Sequence, residues 1–127
     1  MLTREEVRQN LLHSGLDLSR CWLTAGGALI FHGLRERTAD IDMGCTSSLA
    51  DELERAGYPA EQGEAGRRRF HLPGKIDLSE NWAHGTVIMM DGIPVVSLEA
   101  VLALKRSLTR EKDQADIAAM ERILAEN

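Results

Sequence analysis

Cysteine and long apolar runs are both scarce in this sequence, and their scarcity excludes several classes of protein. Its two cysteines, Cys21 and Cys45, lie far apart and form no Cys-x-x-Cys pair, so zinc-binding and dithiol redox motifs are not supported. No apolar run approaches the length that spans a bilayer. Met1 leads directly into the polar stretch that begins at Thr3, without an apolar signal segment. We therefore expect a cytoplasmic protein with no membrane partner.

An excess of positive charge is also missing. The formal net charge is −5, with acidic and basic residues interspersed, so the chain has no global basic surface for nucleic acid. The one local cluster, Arg67-Arg68-Arg69, is short, and we interpret it as one end of a strand or the rim of an active site.

Several catalytic motifs are lacking as well. The glycine pair Gly26-Gly27 has no Gly-Lys-Ser/Thr after it, which excludes a Walker P-loop. No Gly-x-Ser-x-Gly, Ser-x-x-Lys or Cys–His arrangement indicates covalent catalysis. The histidines show no metal-ligand spacing, and we interpret each as an ordinary residue: His13, His32, His71 and His84.

The chain has 127 residues, of which 43% are apolar, enough for one domain with one core. Periodicity and capping signals predict helix, strand, helix, strand and helix, then four short strands in two hairpins, then two helices. Thr3 and Glu6 have the spacing of a capping box at the first helix, and Ser97 is a cap for the fourth. We expect a turn at 35–38 and a loop at 58–66, and Pro94 indicates that the last strand lies at an edge. The strand–helix units are too few for a doubly wound sheet. We therefore predict an α+β fold, a small mixed β-sheet with helices packed against it, as a single domain over residues 1–127.

The most informative stretch runs from Thr24 to Met43. Gly26 and Gly27 follow a predicted strand at Cys21–Thr24, and we expect a glycine turn whose backbone N–H groups hold an anion at the start of a helix. On the next predicted strand, Asp40 and Asp42 are two residues apart and so share one face. Two adjacent carboxylates repel each other unless a cation lies between them.

A third carboxylate, Asp77, falls on the second strand of a predicted hairpin around Pro73-Gly74. The three aspartates are candidate oxygen ligands for Mg²⁺, and Asp77 is also a candidate general base. Lys105, Arg110 and Lys112 would balance the charge of a bound triphosphate. A phosphate-binding turn beside a metal site is typical of phosphoryl and nucleotidyl transfer.

This pattern resembles the signature of the nucleotidyltransferase superfamily, whose fold is like that of the polymerase-beta catalytic domain. Gly26-Gly27, twelve further residues and Asp40-Ile41-Asp42 match its glycine motif and aspartate pair. The strand Gly74–Leu78 looks like the one that bears the third carboxylate. The segment 95–117 is similar to the C-terminal helices of small lincosamide- and aminoglycoside-type nucleotidyltransferases, an arrangement also found in abortive-infection-type toxins.

The resemblance implies Mg²⁺-dependent transfer of a nucleoside monophosphate from a nucleoside triphosphate, such as ATP, to an acceptor hydroxyl on an antibiotic, a protein or RNA. The implied catalytic and metal-binding residues are Asp40, Asp42 and Asp77. The implied nucleotide-binding residues are Gly26, Gly27, Arg37, Lys105 and Lys112.

Two departures from the family pattern affect these expectations. Gly27 stands where many relatives have serine, so the triphosphate would be held by backbone donors alone. The chain is also expected to be shorter than lincosamide-type enzymes, so that a second copy or a partner protein completes the acceptor site. The alternative is an inactive nucleotide-binding or protein-interaction module, for example a toxin–antitoxin component.

Some candidate residues also have a structural interpretation. Lys105 either binds phosphate or extends along an apolar helix stripe. Asp116 is a candidate partner for Arg110 or Arg37. Trp82 either stacks on a base or acceptor or contributes to packing.

Overall fold

Five helices and nine strands build the chain, and the computed structural model describes residues 1–126. The helices are α1 (Arg4–Leu12), α2 (Ala25–Phe31), α3 (Ser47–Arg55), α4 (Leu98–Leu108) and α5 (Gln114–Glu126). The strands are β1 (Leu2–Thr3), β2 (Cys21–Leu23), β3 (Arg37–Thr38), β4 (Ile41–Cys45), β5 (Glu61–Gln62), β6 (Arg68–Leu72), β7 (Ile76–Glu80), β8 (Val87–Met90) and β9 (Ile93–Val96). No helix among these residues is long and apolar enough to cross a membrane.

Seven of the strands form one mixed sheet in the order β5-β6-β7-β4-β2-β9-β8. The pairs β4–β7 and β2–β9 are parallel, and the other neighbours are antiparallel. Strands β1 and β3 pair separately. The predicted α+β class with a small mixed sheet is therefore confirmed.

Alternation along the central strands gives the sheet two different faces. On one face the side chains are fully buried beside the helices, as are Ile41 and Met43 of β4, Phe70 of β6, and Ile76 and Leu78 of β7. The residues between them, including the predicted site aspartates, must then project from the opposite face. We call this second side of the sheet the open face.

The helix starts follow the local signals in the sequence. Thr3 and Glu6 form the predicted capping box at α1, with reciprocal side-chain to backbone hydrogen bonds. Ser97 accepts a hydrogen bond from the backbone N–H of Ala100 and caps α4, as predicted. Both predicted hairpins also form, β6–β7 and β8–β9.

Three predicted local features are wrong. Gly26 and Gly27 lie inside the first turn of α2 and not in a turn before it. The predicted loop 58–66 contains β5, and the predicted turn 35–38 contains β3, because each segment finds a strand partner that is distant in sequence. Local propensity carries no signal of such pairing.

Pro94 was expected to mark an edge strand, but β9 lies inside the sheet and β8 forms its edge. The ladder between β9 and β2 is a single residue pair, Leu23 with Val95. A proline removes one backbone donor, and so short a ladder loses little from it.

Candidate active site

Two of the predicted aspartates lie side by side on neighbouring parallel strands. Asp42 of β4 is the direct register partner of Asp77 of β7. Both project from the open face, since their neighbours Ile41, Met43 and Ile76 are buried on the other side. The fold therefore brings together two residues that are 35 positions apart in the sequence.

Asp40 lies just before β4 and not within it, and its side chain is exposed. Its backbone carbonyl accepts a hydrogen bond of 3.1 Å from the Thr38 hydroxyl, which fixes the approach to the strand. Because Asp40 is two residues before Asp42, it approaches the same face of the sheet.

The electrostatics of Asp42 differ from those of a solvated carboxylate. Burial raises its pKa most, and the negative charges of Asp77 and Asp40 raise it further, against a smaller opposing effect of Arg69. A half-buried carboxylate with two further carboxylates near it is a donor set that a hard divalent cation would suit.

No group of three His, Cys, Asp or Glu side chains within residues 1–126 is arranged as a ready metal cage. Asp77 is instead engaged by His71, whose Nδ1 lies 2.6 Å from Asp77 Oδ1. Carboxylate oxygens are the ligands that Mg²⁺ prefers, so Asp42 and Asp77 suit the ion in chemistry, but in this arrangement Asp77 binds His71.

The contact between His71 and Asp77 was not predicted, because His71 was interpreted as an ordinary residue. His71 Nε2 also lies 3.0 Å from Glu61 Oε2, and the two carboxylates raise the pKa of the imidazole, with Asp77 contributing most. The imidazole donates to both carboxylates only in its protonated form, which the raised pKa favours. The turn at Pro73-Gly74 could have predicted this contact, because a hairpin around it places position 71 opposite position 77.

The glycine pair lies next to Asp42, and its packing explains why glycine is needed. The backbone N–H of Thr24 donates to the Asp42 carbonyl over 3.0 Å, so the residue before α2 is tied to β4. A Cβ on Gly26 would lie 2.8 Å from Thr38 Oγ1, and one on Gly27 would lie 2.6 Å from Leu23 Cδ1. Any larger residue would have to displace these neighbours.

The start of α2 is not capped by its own side chains. Thr24 stands at the N-cap position, yet its hydroxyl makes no capping hydrogen bond. The Thr24 Oγ1 atom is buried without any partner in the described chain. Ala25 has a φ of +53°, a strained conformation for a residue with a side chain.

A cleft of about 420 Å³ opens on the open face beside the two aspartates. Its walls are formed by Asp42, Glu64, Arg67, Arg69, Asp77, Ser79, Trp82, Leu108 and Arg110. Two of the three consecutive arginines therefore border the same cleft as the aspartates. The cluster also marks the start of β6, so its position agrees with both interpretations, a strand end and the rim of a cleft.

Trp82 is held at the cleft by its backbone. The indole Nε1–H of Trp22 donates to the Trp82 carbonyl over 2.9 Å, and the Trp22 ring stacks on His84 at a centroid distance of 4.1 Å. Gly44 permits this arrangement, because a Cβ there would lie 2.1 Å from the Trp82 carbonyl oxygen. Strand β4 thus carries Asp42 and, two residues later, the glycine that leaves room for the Trp82 backbone in the cleft wall.

Two solved structures share this architecture. One is the lincosamide antibiotic adenylyltransferase LnuA in its lincomycin-bound form, with 20% identity, a TM-score of 0.56, and coverage of 94% of this chain and 97% of LnuA. The other is TM1012 from Thermotoga maritima, a proposed nucleotidyltransferase, with 14% identity, a TM-score of 0.56, and coverage of 97% of this chain and 91% of TM1012. The chain has a nucleotidyltransferase fold. No protein-family model matches the sequence, and no curated protein sequence matches it.

The comparison corrects the expectation about chain length. The match covers 97% of the LnuA chain, so that enzyme has no large additional segment that this chain lacks. The expected difference in length is therefore not found for LnuA, and a second copy or partner at the acceptor site stays a prediction.

The lysines and arginines predicted to bind the triphosphate lie in different places, and only one of them borders the cleft. Lys105 is buried, and its Nζ lies 2.9 Å from Asp113 Oδ1 and 3.6 Å from Asp116 Oδ2. Arg110 borders the cleft and donates from Nε to the second Asp113 oxygen over 2.5 Å. Lys105 therefore fixes the carboxylate that in turn holds Arg110.

The remaining predicted cations lie outside the cleft wall. Arg37 is exposed on β3 opposite Thr3, and Lys112 is exposed in the turn before α5. Asp116 pairs with Arg35 over 2.7 Å, and not with Arg110 or Arg37 as considered from the sequence. A Cβ added to Gly26 would lie 2.9 Å from Arg35 Nη1, so Arg35 packs directly on this glycine. Because Arg35 also pairs with Asp116, it connects α5 to the glycine pair.

Proposed function

We propose that the chain is a Mg²⁺-dependent nucleotidyltransferase, which moves a nucleoside monophosphate from a nucleoside triphosphate to an acceptor hydroxyl. The observation that carries the proposal is the direct register pairing of Asp42 with Asp77 beside the glycine pair. The shared fold with LnuA and TM1012 supports the same reaction class.

The donor triphosphate is assigned to the side of Asp42 where Thr24, Gly26 and Gly27 lie. The first backbone N–H groups of a helix have no partner within it, and Thr24 does not cap them. Gly26 and Gly27 allow the close packing of this turn against Thr38 and Leu23, so the feature offered to the phosphate is the set of uncapped N–H groups.

Among the predicted cations, Arg110 borders the cleft beside Asp42 and Asp77, and we assign it a contact with the α-phosphate, where donor and acceptor meet. Lys105 then acts through Asp113, whose carboxylate fixes the Arg110 guanidinium. Arg37 and Lys112 are retained as exposed positive charges for a donor whose phosphates extend past the glycine pair.

Asp42 and Asp77, with Asp40 at the strand entrance, are the residues that would hold Mg²⁺. The cation would supply positive charge for the phosphates and for the departing pyrophosphate. It would also offset the burial and the neighbouring negative charges that raise the pKa of Asp42.

Asp77 is assigned a second role as the group that orients the acceptor and takes its hydroxyl proton. The acceptor oxygen forms a bond to the α-phosphorus, and the bond from that phosphorus to the pyrophosphate oxygen breaks. The hydroxyl proton passes to the Asp77 carboxylate, and pyrophosphate leaves with the electron pair of the broken bond.

The experiment is label transfer from α-labelled nucleoside triphosphates in the presence of Mg²⁺, beginning with ATP because LnuA is an adenylyltransferase. Acceptors are lincosamides, aminoglycosides, small phosphorylated and carboxylated sugars, tRNA and proteins. Label transfer and pyrophosphate release should fall about 10²–10³-fold in Asp42→Asn, because several kcal/mol of charge stabilisation is lost. Asp91→Asn is the matched control, since Asp91 is an exposed turn residue paired with Arg4.

The alternative is a module that binds nucleotide or a protein partner without turnover. It predicts measurable ATP binding and no label transfer to any acceptor, with identical behaviour of the wild type and Asp42→Asn. That result would overturn the proposed enzyme.

A further inference from the structure

The residues of the open face follow a definite order across the sheet. The glycine pair follows β2 and is tied to Asp42 of β4 through the Thr24 backbone. Asp42 pairs with Asp77 of β7, which pairs with His71 of β6. The glycine pair and strand β6 therefore lie on opposite sides of the two aspartates.

This order matters for a displacement at phosphorus. The attacking and leaving oxygens lie roughly in line on opposite sides of the phosphorus atom. If the departing pyrophosphate lies at the glycine pair, the acceptor hydroxyl must approach from the side of β7 and β6. The cleft occupies that side, since its walls include Arg67, Arg69 and Ser79.

Arg67 and Arg69 form no salt bridge and no side-chain hydrogen bond in the part of the chain that the structure describes, although the charge of Arg69 acts on Asp42. Arg68 between them contrasts with both, because it faces the helices and pairs with Asp51, Glu54 and Glu80. Arg68 therefore has a structural role, whereas the side-chain N–H donors of Arg67 and Arg69 remain free to bind a ligand. A guanidinium presents five donors suited to planar anions such as phosphate and carboxylate.

The two free arginines are held in place by local backbone structure. The Gly63 N–H donates to the Arg67 carbonyl over 2.7 Å, and the Arg67 N–H donates to the Glu64 carbonyl over 3.1 Å. The aliphatic part of Arg69 packs on Gly63, where a Cβ would lie 2.8 Å from Arg69 Cδ. Such support lowers the entropy lost when a side chain binds a ligand.

We propose that the acceptor is a small molecule that carries both the reacting hydroxyl and an anionic group, a phosphate or a carboxylate, which Arg67 and Arg69 bind. The inference rests on the proposed nucleotidyl transfer and names its second substrate class. The acceptor oxygen bonds to the α-phosphorus, pyrophosphate leaves, and the hydroxyl proton passes to Asp77.

The dimensions and other walls of the cleft are consistent with a small acceptor. Its volume of about 420 Å³ lies in the range of small-molecule sites. Trp82 and Leu108 offer apolar surface for a carbon skeleton. If Asp42 and Asp77 bind a cation, Glu64 is the one other carboxylate in the cleft wall. The positive charges of Arg67 and Arg69 then exceed the negative charge of Glu64. The net charge of −5 disfavours a long polyanion such as RNA.

The first test measures direct binding by calorimetry to the full chain saturated with Mg²⁺ and a non-hydrolysable ATP analogue. The probes are glucose, glucose 6-phosphate and glucuronate, which share a sugar ring and differ in the anionic group. At least one anionic probe should bind about tenfold or more tightly than glucose, because charge-assisted hydrogen bonds to arginine are strong. Comparing the two anionic probes distinguishes phosphate from carboxylate recognition.

The second test repeats the titrations with Arg67→Gln/Arg69→Gln. The double variant should bind the anionic probe about as weakly as glucose, while its affinity for the ATP analogue should change by less than about threefold. Arg122→Gln is the control, because Arg122 is exposed on α5 and has no partner in the described chain. Thermal unfolding of both variants verifies that the fold is retained.

Equal binding of the three probes to the wild type would overturn the inference, as would unchanged binding of the anionic probe to the double variant. Equal loss of ATP affinity in that variant would assign the arginines to the donor and also overturn it. Label transfer confined to cationic antibiotics or RNA would contradict the acceptor class and leave nucleotidyl transfer intact. The Asp42→Asn comparison tests nucleotidyl transfer separately.

Discussion

At the scale of single residues, Asp42 combines a proposed metal-binding position with a cost in stability. Its carboxylate is half-buried near two other aspartates, and burial followed by the charge of Asp77 raises its pKa above the ordinary value of 3.8. A raised folded-state pKa means that the folded protein holds the proton more tightly than the unfolded chain does. The ionised form of Asp42 therefore destabilises the metal-free fold at neutral pH.

We predict that Asp42→Asn increases the free energy of unfolding at pH 7 in the presence of a chelator. The advantage of the variant should shrink as the pH falls through the raised pKa towards 3.8, because Asp42 is then protonated in the wild type. Urea denaturation at several pH values measures both effects. A variant less stable than the wild type at every pH would contradict this electrostatic account.

The sequence identified the aspartates of the site more readily than their neighbours. Asp40, Asp42 and Asp77 stand at alternating or hairpin positions, where polar residues in strands are conspicuous. The contact between His71 and Asp77 depends on hairpin register, and the burial of Lys105 depends on how α4 and α5 pack. A side chain's partner is a property of the tertiary structure, so residue type alone did not reveal these contacts.

At the scale of secondary-structure elements, strand β4 supports both the chemistry and a cleft wall. Gly44 lies under the Trp82 carbonyl and the Trp22 indole, with only 2.1 and 2.2 Å from its Cβ position to those groups. Because one of them is backbone, an added methyl group cannot be accommodated by a simple rotamer change.

We predict that Gly44→Ala destabilises the protein by about 1–3 kcal/mol, the usual effect of overpacking. It should also shift the Trp82 segment and raise the KM for the acceptor more than the KM for ATP. Urea denaturation measures the loss of stability, tryptophan fluorescence measures the shift of the Trp82 segment, and steady-state kinetics measure the two KM values. Gly57→Ala, at a glycine with open space around it, is the control for glycine replacement in the same fold, although its φ of +95° carries its own strain. Wild-type stability and kinetics in Gly44→Ala would show that the tryptophan packing is not coupled to the cleft.

Short elements were the least predictable part of the fold. The long helices, the capping box at Thr3 and both hairpins followed from periodicity and turn residues. Strands β3 and β5 have two residues each and exist because a distant partner is present. The position of β9 inside the sheet likewise depends on its contact with β2, which Pro94 alone did not indicate.

At the scale of the whole molecule, a series of ion pairs connects the last two helices with the cleft and with the glycine pair. Lys105 of α4 binds Asp113, which holds Arg110 at the cleft. Asp116 of α5 binds Arg35, which packs on Gly26. The C-terminal helices are therefore joined to the donor side and to the cleft through ion pairs, the first of them buried.

We predict that Lys105→Met lowers the free energy of unfolding by about 3 kcal/mol, because it removes one partner of a buried ion pair. If Lys105 acts through Asp113, the Kd for ATP should change by less than about threefold, which corresponds to under ~1 kcal/mol. Denaturation and calorimetry on the same samples provide both values. A large loss of ATP affinity with little loss of stability would instead support a direct phosphate contact.

The overall class of the fold was predictable, and the order of its strands was not. An α+β chain with a mixed sheet followed from the count and sequence of elements, and the glycine and aspartate motifs resembled one superfamily. That Arg67 and Arg69 border the cleft with Asp42 depends on β6 lying beside β7 and β7 beside β4. The inference about the acceptor thus rests on topology.

The most direct test of the central claim is a crystal structure with Mn²⁺ and a non-hydrolysable ATP analogue. We predict anomalous density for Mn²⁺ in direct coordination by Asp42 and Asp77, with the β- and γ-phosphates on the side of Gly26 and Gly27. The cleft wall at Arg67 and Arg69 should remain open for the acceptor. A nucleotide bound elsewhere, or Mn²⁺ without contact to either aspartate, would contradict the account.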